Sequence, residues 1–290
     1  MQTAVIAVFL FILLALFAAP VQTRLRRWLQ VGGTRVLLVP AAITAGFAVV
    51  LAGAAAPAFI ALAAVWAFAP ALLVLSGGAG ERPPRAADFA AILLLWLPLD
   101  FYAGKELLAR EAWGLANITA HGAAVTLALF LFLVYRGLKG IKYNLPLRWS
   151  DVAYPAAALV IAAPVLAGVA WGVGFMGLFR MFSQFAPAGA GALFLKTLLG
   201  VGLPGELLFR GLIQNWLMQR FGESNAVVFG AAVIFGAAHL NNAPAPNWGY
   251  MALATVAGFI YGKVFQRSQT ILAPASLHAA VNTARHIFFL

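Results

Sequence analysis

Chemistry in this 290-residue chain would fall to a few polar side chains set inside long apolar runs. The first group is Gly205-Glu206-Leu207-Leu208-Phe209-Arg210-Gly211, where an acid and a guanidinium stand at i and i+4 on one helical face and can pair. The second is Phe235-Gly236-Ala237-Ala238-His239, which puts an imidazole at the end of an otherwise apolar helix. The third is His278-Ala279-Ala280-Val281-Asn282, again i and i+4, aiming two hydrogen-bonding side chains at one side of the last helix. Each has a plain structural reading: a bundle-holding ion pair, an interfacial histidine, and polar glue between helices. Lys196, His286, Arg285 and His121 lie near expected span ends or outside any repeated spacing, and they read as snorkelling or surface groups.

Geometry favours a joint reading of the first three. Residues 206–220 and 225–239 form an antiparallel helical hairpin turning near Gly222-Glu223-Ser224, with Ser224 or Asn225 as the cap of its second helix. Glu206 and His239 are nearly equidistant from that turn, so they meet at one depth, about 20 Å from the cytoplasmic edge at 1.5 Å per residue. His278 reaches the same depth if the last span begins near Gln266 to Thr270. In such a cavity Glu206 and His239 would activate a water for attack on a carbonyl, and Arg210 would position Glu206. His278 and Asn282 would stabilise the oxyanion. No cofactor is expected. Zinc held by Glu206, His239 and His278 is the second choice, because the ligand types suit it but the H-E-x-x-H spacing is absent.

The elements that must position these groups follow from composition. Sixty-three per cent of the residues are hydrophobic and nine per cent charged, so the solvent is lipid. The absence of cysteine removes disulfides and thiolate chemistry. Apolar segments run over approximately 3–19, 36–53, 57–76, 89–101, 122–135, 152–175, 189–217, 225–240, 249–265 and 271–290. The expected fold is therefore all-α, a polytopic transmembrane bundle of about eight to ten helices, since lipid cannot satisfy free backbone groups. The short segment 89–101 needs extension by its flanks, and 102–121, with Lys105, Glu106, Arg110 and Glu111, suits an amphipathic surface helix. The net charge of +11 first suggests nucleic acid, but the basic residues sit in short loops between apolar runs. With the N-terminus outside, thirteen of the 19 Lys and Arg fall inside and Lys105, Arg110, Arg180 and Arg285 outside. That asymmetry is membrane topology, and nucleic acid is not an expected partner. The expected setting is a bacterial inner membrane, with lipids and a membrane-anchored peptide or protein as partners.

The three motifs together resemble the CAAX prenyl endopeptidase and bacteriocin-processing family (CPBP, or Abi), whose signature is EExxxR, FxxxH and HxxxN on three membrane helices. The run Ile271-Leu272-Ala273-Pro274-Ala275-Ser276-Leu277-His278 is similar to the family's lead-in to the last motif. The resemblance divides the chain into a protease-like core at 189–290 and an N-terminal membrane region, 1–188, of unassigned role. It implies an intramembrane endopeptidase. One departure stands out: where the family has two adjacent glutamates, this chain has Gly205 and then Glu206. In the family the first glutamate and the second-motif histidine are taken to activate water, while the second glutamate pairs with the arginine. Three readings stay open: Glu206 has become the base, the chain is an inactive relative serving as a scaffold or immunity protein, or Gly205 is an inactivating substitution. A transporter is the remaining class, although no inverted repeat accompanies the buried charges.

Overall fold

The computed structural model describes residues 1–143, 147–175 and 187–288. Arg180 and the last two residues of the expected segment 271–290 lie outside the described residues. The protein is all-α, and among the described residues an isolated bridge between Ala55 and Leu108 is the one β feature. Five helices are long and apolar enough to cross a membrane, or six if one bent pair is a single span. The expected eight to ten is not reached by that measure: segments such as Asn225–Ala237 are apolar but short. The chain separates into two compact units, Met1–Gly140 and Ile141–Leu290. The second takes in residues 141–188 along with the core expected at 189–290, because the helix within 150–172 packs on the last two helices.

In the first unit, α1 (Gln2–Ala15) and α2 (Ala19–Val31) meet at 95° in place of one continuous span over 3–19. Pro20 in the first turn of α2 explains the break, since proline is favoured there and cannot continue the preceding helix. Then come α3 (Leu38–Val50), α4 (Pro57–Ser76) and α5 (Ala86–Asp100). The amphipathic helix expected over 102–121 is absent. Gly104, at φ +82°, starts a short 3-10 turn at Lys105–Leu107, and a second follows at Arg110–Ala112. The chain then enters α6 (Trp113–Ala128), which continues through wide turns to Tyr135. The charges cluster ahead of Trp113, so the amphipathic signal came from a loop and the apolar remainder joined the span.

In the second unit, α7 (Ser150–Gly172) precedes one long helix assembled from α8 (Pro187–Thr197), α9 (Leu203–Glu206) and α10 (Asn215–Phe221). Wide π turns at Leu198–Gly202 and Leu207–Gln214 join these pieces. Pro204 has no N–H to give the ladder, which accounts for the first widening. The expected hairpin follows: Gly222 turns with φ +85°, and the Ser224 hydroxyl accepts from Val227 N at 3.2 Å to cap α11 (Asn225–Ala237). The unit ends with α12 (Trp248–Ser268), capped by Asn247 on Tyr250 N, and α13 (Leu272–Phe288).

Two glycines draw these helices together. A Cβ on Gly202 would stand 2.7 Å from the Ala275 carbonyl oxygen, so the long helix and α13 touch backbone to backbone. A Cβ on Gly258 would stand 2.8 Å from the Phe235 ring, which marks the same closeness between α11 and α12. Small residues at such crossings are how helices associate in lipid.

Candidate functional site

The Gly202–Ala275 crossing fixes what lies one turn further along each helix. Four residues beyond Gly202 is Glu206, and three beyond Ala275 is His278. Glu206 Oε1 accepts from His278 Nδ1 at 2.8 Å, with the carboxylate fully buried. Its other oxygen lies 3.0 Å from Arg210 Nε, the i+4 partner expected from sequence. That contact is within ion-pair range but off the hydrogen-bond direction, so attraction of charge more than alignment holds it. Arg210 is 1% exposed; its Nη2 donates to the Gly258 carbonyl at 2.8 Å, and its guanidinium rests 4.4 Å from the Phe235 ring centre. The bare backbone at Gly258 makes that carbonyl reachable.

His239 follows the last turn of α11. Its Nδ1 bonds the Phe235 carbonyl oxygen at 2.9 Å. A carbonyl only accepts, so Nδ1 carries the hydrogen and Nε2 of the neutral ring keeps the lone pair. The same logic applied to His278 makes Nδ1 the donor to Glu206 and leaves Nε2 for another partner. Phe235 meets both imidazoles edge to face, at 4.9 Å from His239 and 5.8 Å from His278.

His239, His278 and Asn282 all line one cavity of about 400 Å³ inside the second unit. Much of its remaining wall is apolar, drawn from α7, α12 and α13 and including Leu159, Pro164, Leu253 and Val281. Glu206 and Arg210 do not line it, and Glu206 reaches it through His278. Of the five expected residues, three thus face a common space and two form a buried pair in contact with one of those three. Glu206 pairs with His278 and Arg210, and no hydrogen bond or ion pair joins Glu206 to His239 among the described residues. The same residues do not gather three metal-ligating side chains into one cluster. A Cβ on Gly205 would meet the His278 ring at 3.7 Å, ordinary contact, so the position where the family carries its first glutamate lies beside that imidazole.

Three participants are missing from the motifs. Tyr261 stacks on His278, ring centres 5.0 Å apart at 23°, and Tyr250 lies 4.5 Å from His239. Tyr250, Ala254, Ala257 and Tyr261 all line the cavity at i, i+4, i+7 and i+11, a helical stripe whose spacing is the signal that could have found α12 as a wall. Arg285, read as a surface group, also lines the cavity, from its exposed end. Lys196, His121 and His286 are exposed, and the last two bond backbone carbonyls of their own helices.

No curated protein and no solved structure matches the chain. One family does: residues 187–284 of the 290, the stretch that holds all five residues of the three motifs, match the model of the type II CAAX prenyl endopeptidase Rce1-like family.

Proposed function

We propose that this protein is an intramembrane endopeptidase of the CAAX type, cleaving a peptide bond of a membrane-associated substrate held in the cavity of the second unit. The observation that carries the proposal is the convergence of His239, His278 and Asn282 on one largely apolar space, inside the segment that matches the protease family. Water is activated by His239, whose Nε2 is left free by the bond from Nδ1 to Phe235. The water oxygen attacks the scissile carbonyl carbon as its proton passes to Nε2. Asn282 holds the resulting oxyanion, joined by His278 Nε2–H when that ring carries a proton on each nitrogen, and Glu206 supplies the counter-charge that this form of His278 needs in a site without bulk water. His239 then returns its proton to the leaving amine as the C–N bond breaks.

In this reading Glu206 acts through His278, and Arg210 anchors it; the geometry supports that over direct water activation, because both carboxylate oxygens already face a partner. Gly205 favours a second reading, an inactive relative that binds a membrane peptide as a scaffold or immunity protein. The two separate experimentally. Purified protein in lipid nanodiscs, given a library of membrane-anchored peptides, yields cleavage that disappears in His239→Ala. If the parent cleaves nothing while Gly205→Glu creates cleavage, the inactive reading replaces this one.

A further inference from the structure

We propose that the first unit carries a binding site for the phosphate of an anionic phospholipid, formed by Arg82 and Arg85 where they converge at the C-terminal end of α4. The proposal is independent of the endopeptidase reading and concerns the unit that the family match does not reach.

Between α4 and α5 the chain runs Gly77-Gly78-Ala79-Gly80-Glu81-Arg82-Pro83-Pro84-Arg85, and positive φ at Gly78 (+77°) and Gly80 (+92°) folds this loop back on the helix it leaves. Arg85 Nη2 donates to the Gly77 carbonyl at 2.6 Å, and Arg82 Nη2 donates to the Gly78 carbonyl. A Cβ on Gly77 would stand 2.8 Å from Arg85 Nη2 and 3.1 Å from Arg82 Nη2, so two guanidiniums approach one point. The plain structural reading is that both cations cap the carbonyl end of α4. Capping engages one nitrogen of each. Among the described residues the other N–H groups of both forks make no hydrogen bond, and Arg82 Nε is buried in that state. A buried donor without an acceptor is costly, and a phosphate oxygen would satisfy it.

The surrounding charge points the same way. Among the described residues neither Arg82 nor Arg85 forms an ion pair. Asp88 is gripped by Arg136, and Glu81 is paired with Lys139 at 2.9 Å. Burial, and then the charges of Arg136 and Arg85, hold Arg82 below the usual arginine value despite the pull of Asp88. Two like charges that converge with no anion between them call for one from outside.

The membrane is the source that the setting favours. Gly80 N and Gln30 Nε2 both donate to the Tyr135 carbonyl, at 3.1 and 3.3 Å, which ties the loop to α2. That helix stands at 95° to α1 and exposes Trp28 and Val31 beside Arg24 and Arg27, the mixed surface of a helix lying at headgroup depth. On α4 itself, Leu62, Val65 and Leu72 form an exposed apolar column that leads toward Gly77, a path for an acyl chain whose headgroup ends at the two arginines.

The test is native mass spectrometry of the full chain in detergent, offered dioleoyl phosphatidylglycerol or dioleoyl phosphatidylcholine at equal concentration. The protein is expected to retain one phosphatidylglycerol per chain, about tenfold more tightly than phosphatidylcholine. Arg82→Gln/Arg85→Gln, and to a smaller extent Arg85→Gln alone, should bring phosphatidylglycerol down to the phosphatidylcholine level. Arg24→Gln/Arg27→Gln, which removes the same charge from α2, should leave it within about twofold. Equal retention of the two lipids by the unaltered protein overturns the proposal whether or not the variants fold. So does an equal loss in both double variants, which would mean diffuse surface charge in place of a site. Displacement of the bound lipid by inorganic phosphate or glycerol 3-phosphate at matched concentration would assign the arginines to a soluble anion and overturn it as well. Peptide cleavage enters none of these readouts, so this inference and the endopeptidase reading stand or fall separately.

Discussion

Among the described residues each unit of the protein buries one carboxylate–arginine pair, and the two are built differently. In the first unit Arg136 grips Asp88 with both arms, Nε to Oδ1 at 3.1 Å and Nη2 to Oδ2 at 2.8 Å. Its third nitrogen donates to the Gly80 carbonyl at 2.9 Å, and Asp88 also accepts from Arg85 N at the start of α5. Donors and acceptors match, and the pair closes on itself. In the second unit Arg210 meets Glu206 through Nε alone, its Nη1 has no hydrogen-bond partner, and the carboxylate gives its other oxygen to a histidine that lines a cavity. A saturated pair serves folding. A pair with capacity diverted to a third group can serve chemistry, which is why a buried ion pair alone does not identify a site.

The sharpest way to break this contrast is to remove each arginine's partner role in turn and read stability and activity separately. Arg136→Ala leaves Asp88 buried with no counter-charge, and is expected to cost about 3–5 kcal/mol of stability, seen as a large drop in the detergent melting temperature. Asp88→Asn, which keeps the shape, should lower melting but leave the cleavage rate per folded molecule within about twofold, because the residues that line the cavity all belong to the second unit. Glu206→Gln should do the opposite. It retains an acceptor for His278 Nδ1–H but removes the counter-charge, so kcat should fall about 100-fold, a loss on the scale of one oxyanion donor. If Glu206→Gln and Asp88→Asn affect melting alike and kcat not at all, the two pairs are equivalent and the contrast fails. Arg210→Lys comes next: one ammonium cannot both meet Glu206 and donate to the Gly258 carbonyl as the fork does, and about a tenfold loss of kcat is expected, with KM little changed.

Much of this asymmetry was legible in residues, and the reason differs from place to place. The i and i+4 spacing of Glu206 and Arg210 announced their pairing, and Gly222 with Ser224 announced the hairpin, because both depend on contacts local in sequence. The partner of the free carboxylate oxygen was not legible. Sequence placed Glu206, His239 and His278 at one depth, but which imidazole touches the acid is set by the backbone crossing of Gly202 on Ala275, 73 residues apart and invisible to periodicity. Arg285 was read by its place near a span end, where snorkelling is the default, and only the wall made by Phe175 and Tyr250 reveals that it lines the cavity. In the first unit the charges at 105–111 imitated an amphipathic helix, and Gly104 was the overlooked sign of a turn.

The smallest expected effect concerns what holds His278 flat against its side of the cavity. Hydrogen bonding from Nδ1 to Glu206 fixes one edge of the ring but allows rotation about that bond. Tyr261 removes the remaining freedom by stacking on the ring face, while Phe235 presses on it edge to face. Offset aromatic pairs contribute about 0.5–1.5 kcal/mol beyond their burial, so Tyr261→Leu should lower kcat by roughly three- to tenfold through loss of alignment. Tyr261→Phe keeps the ring and should stay within about twofold of the parent if stacking is the whole contribution. A larger loss in Tyr261→Phe would transfer the role from the ring to its hydroxyl, making Tyr261 a hydrogen-bonding member of the site. Equal, near-parental rates in both variants would mean that Glu206 orients the histidine unaided, narrowing the contrast with Asp88, which holds its own partner by a two-point grip.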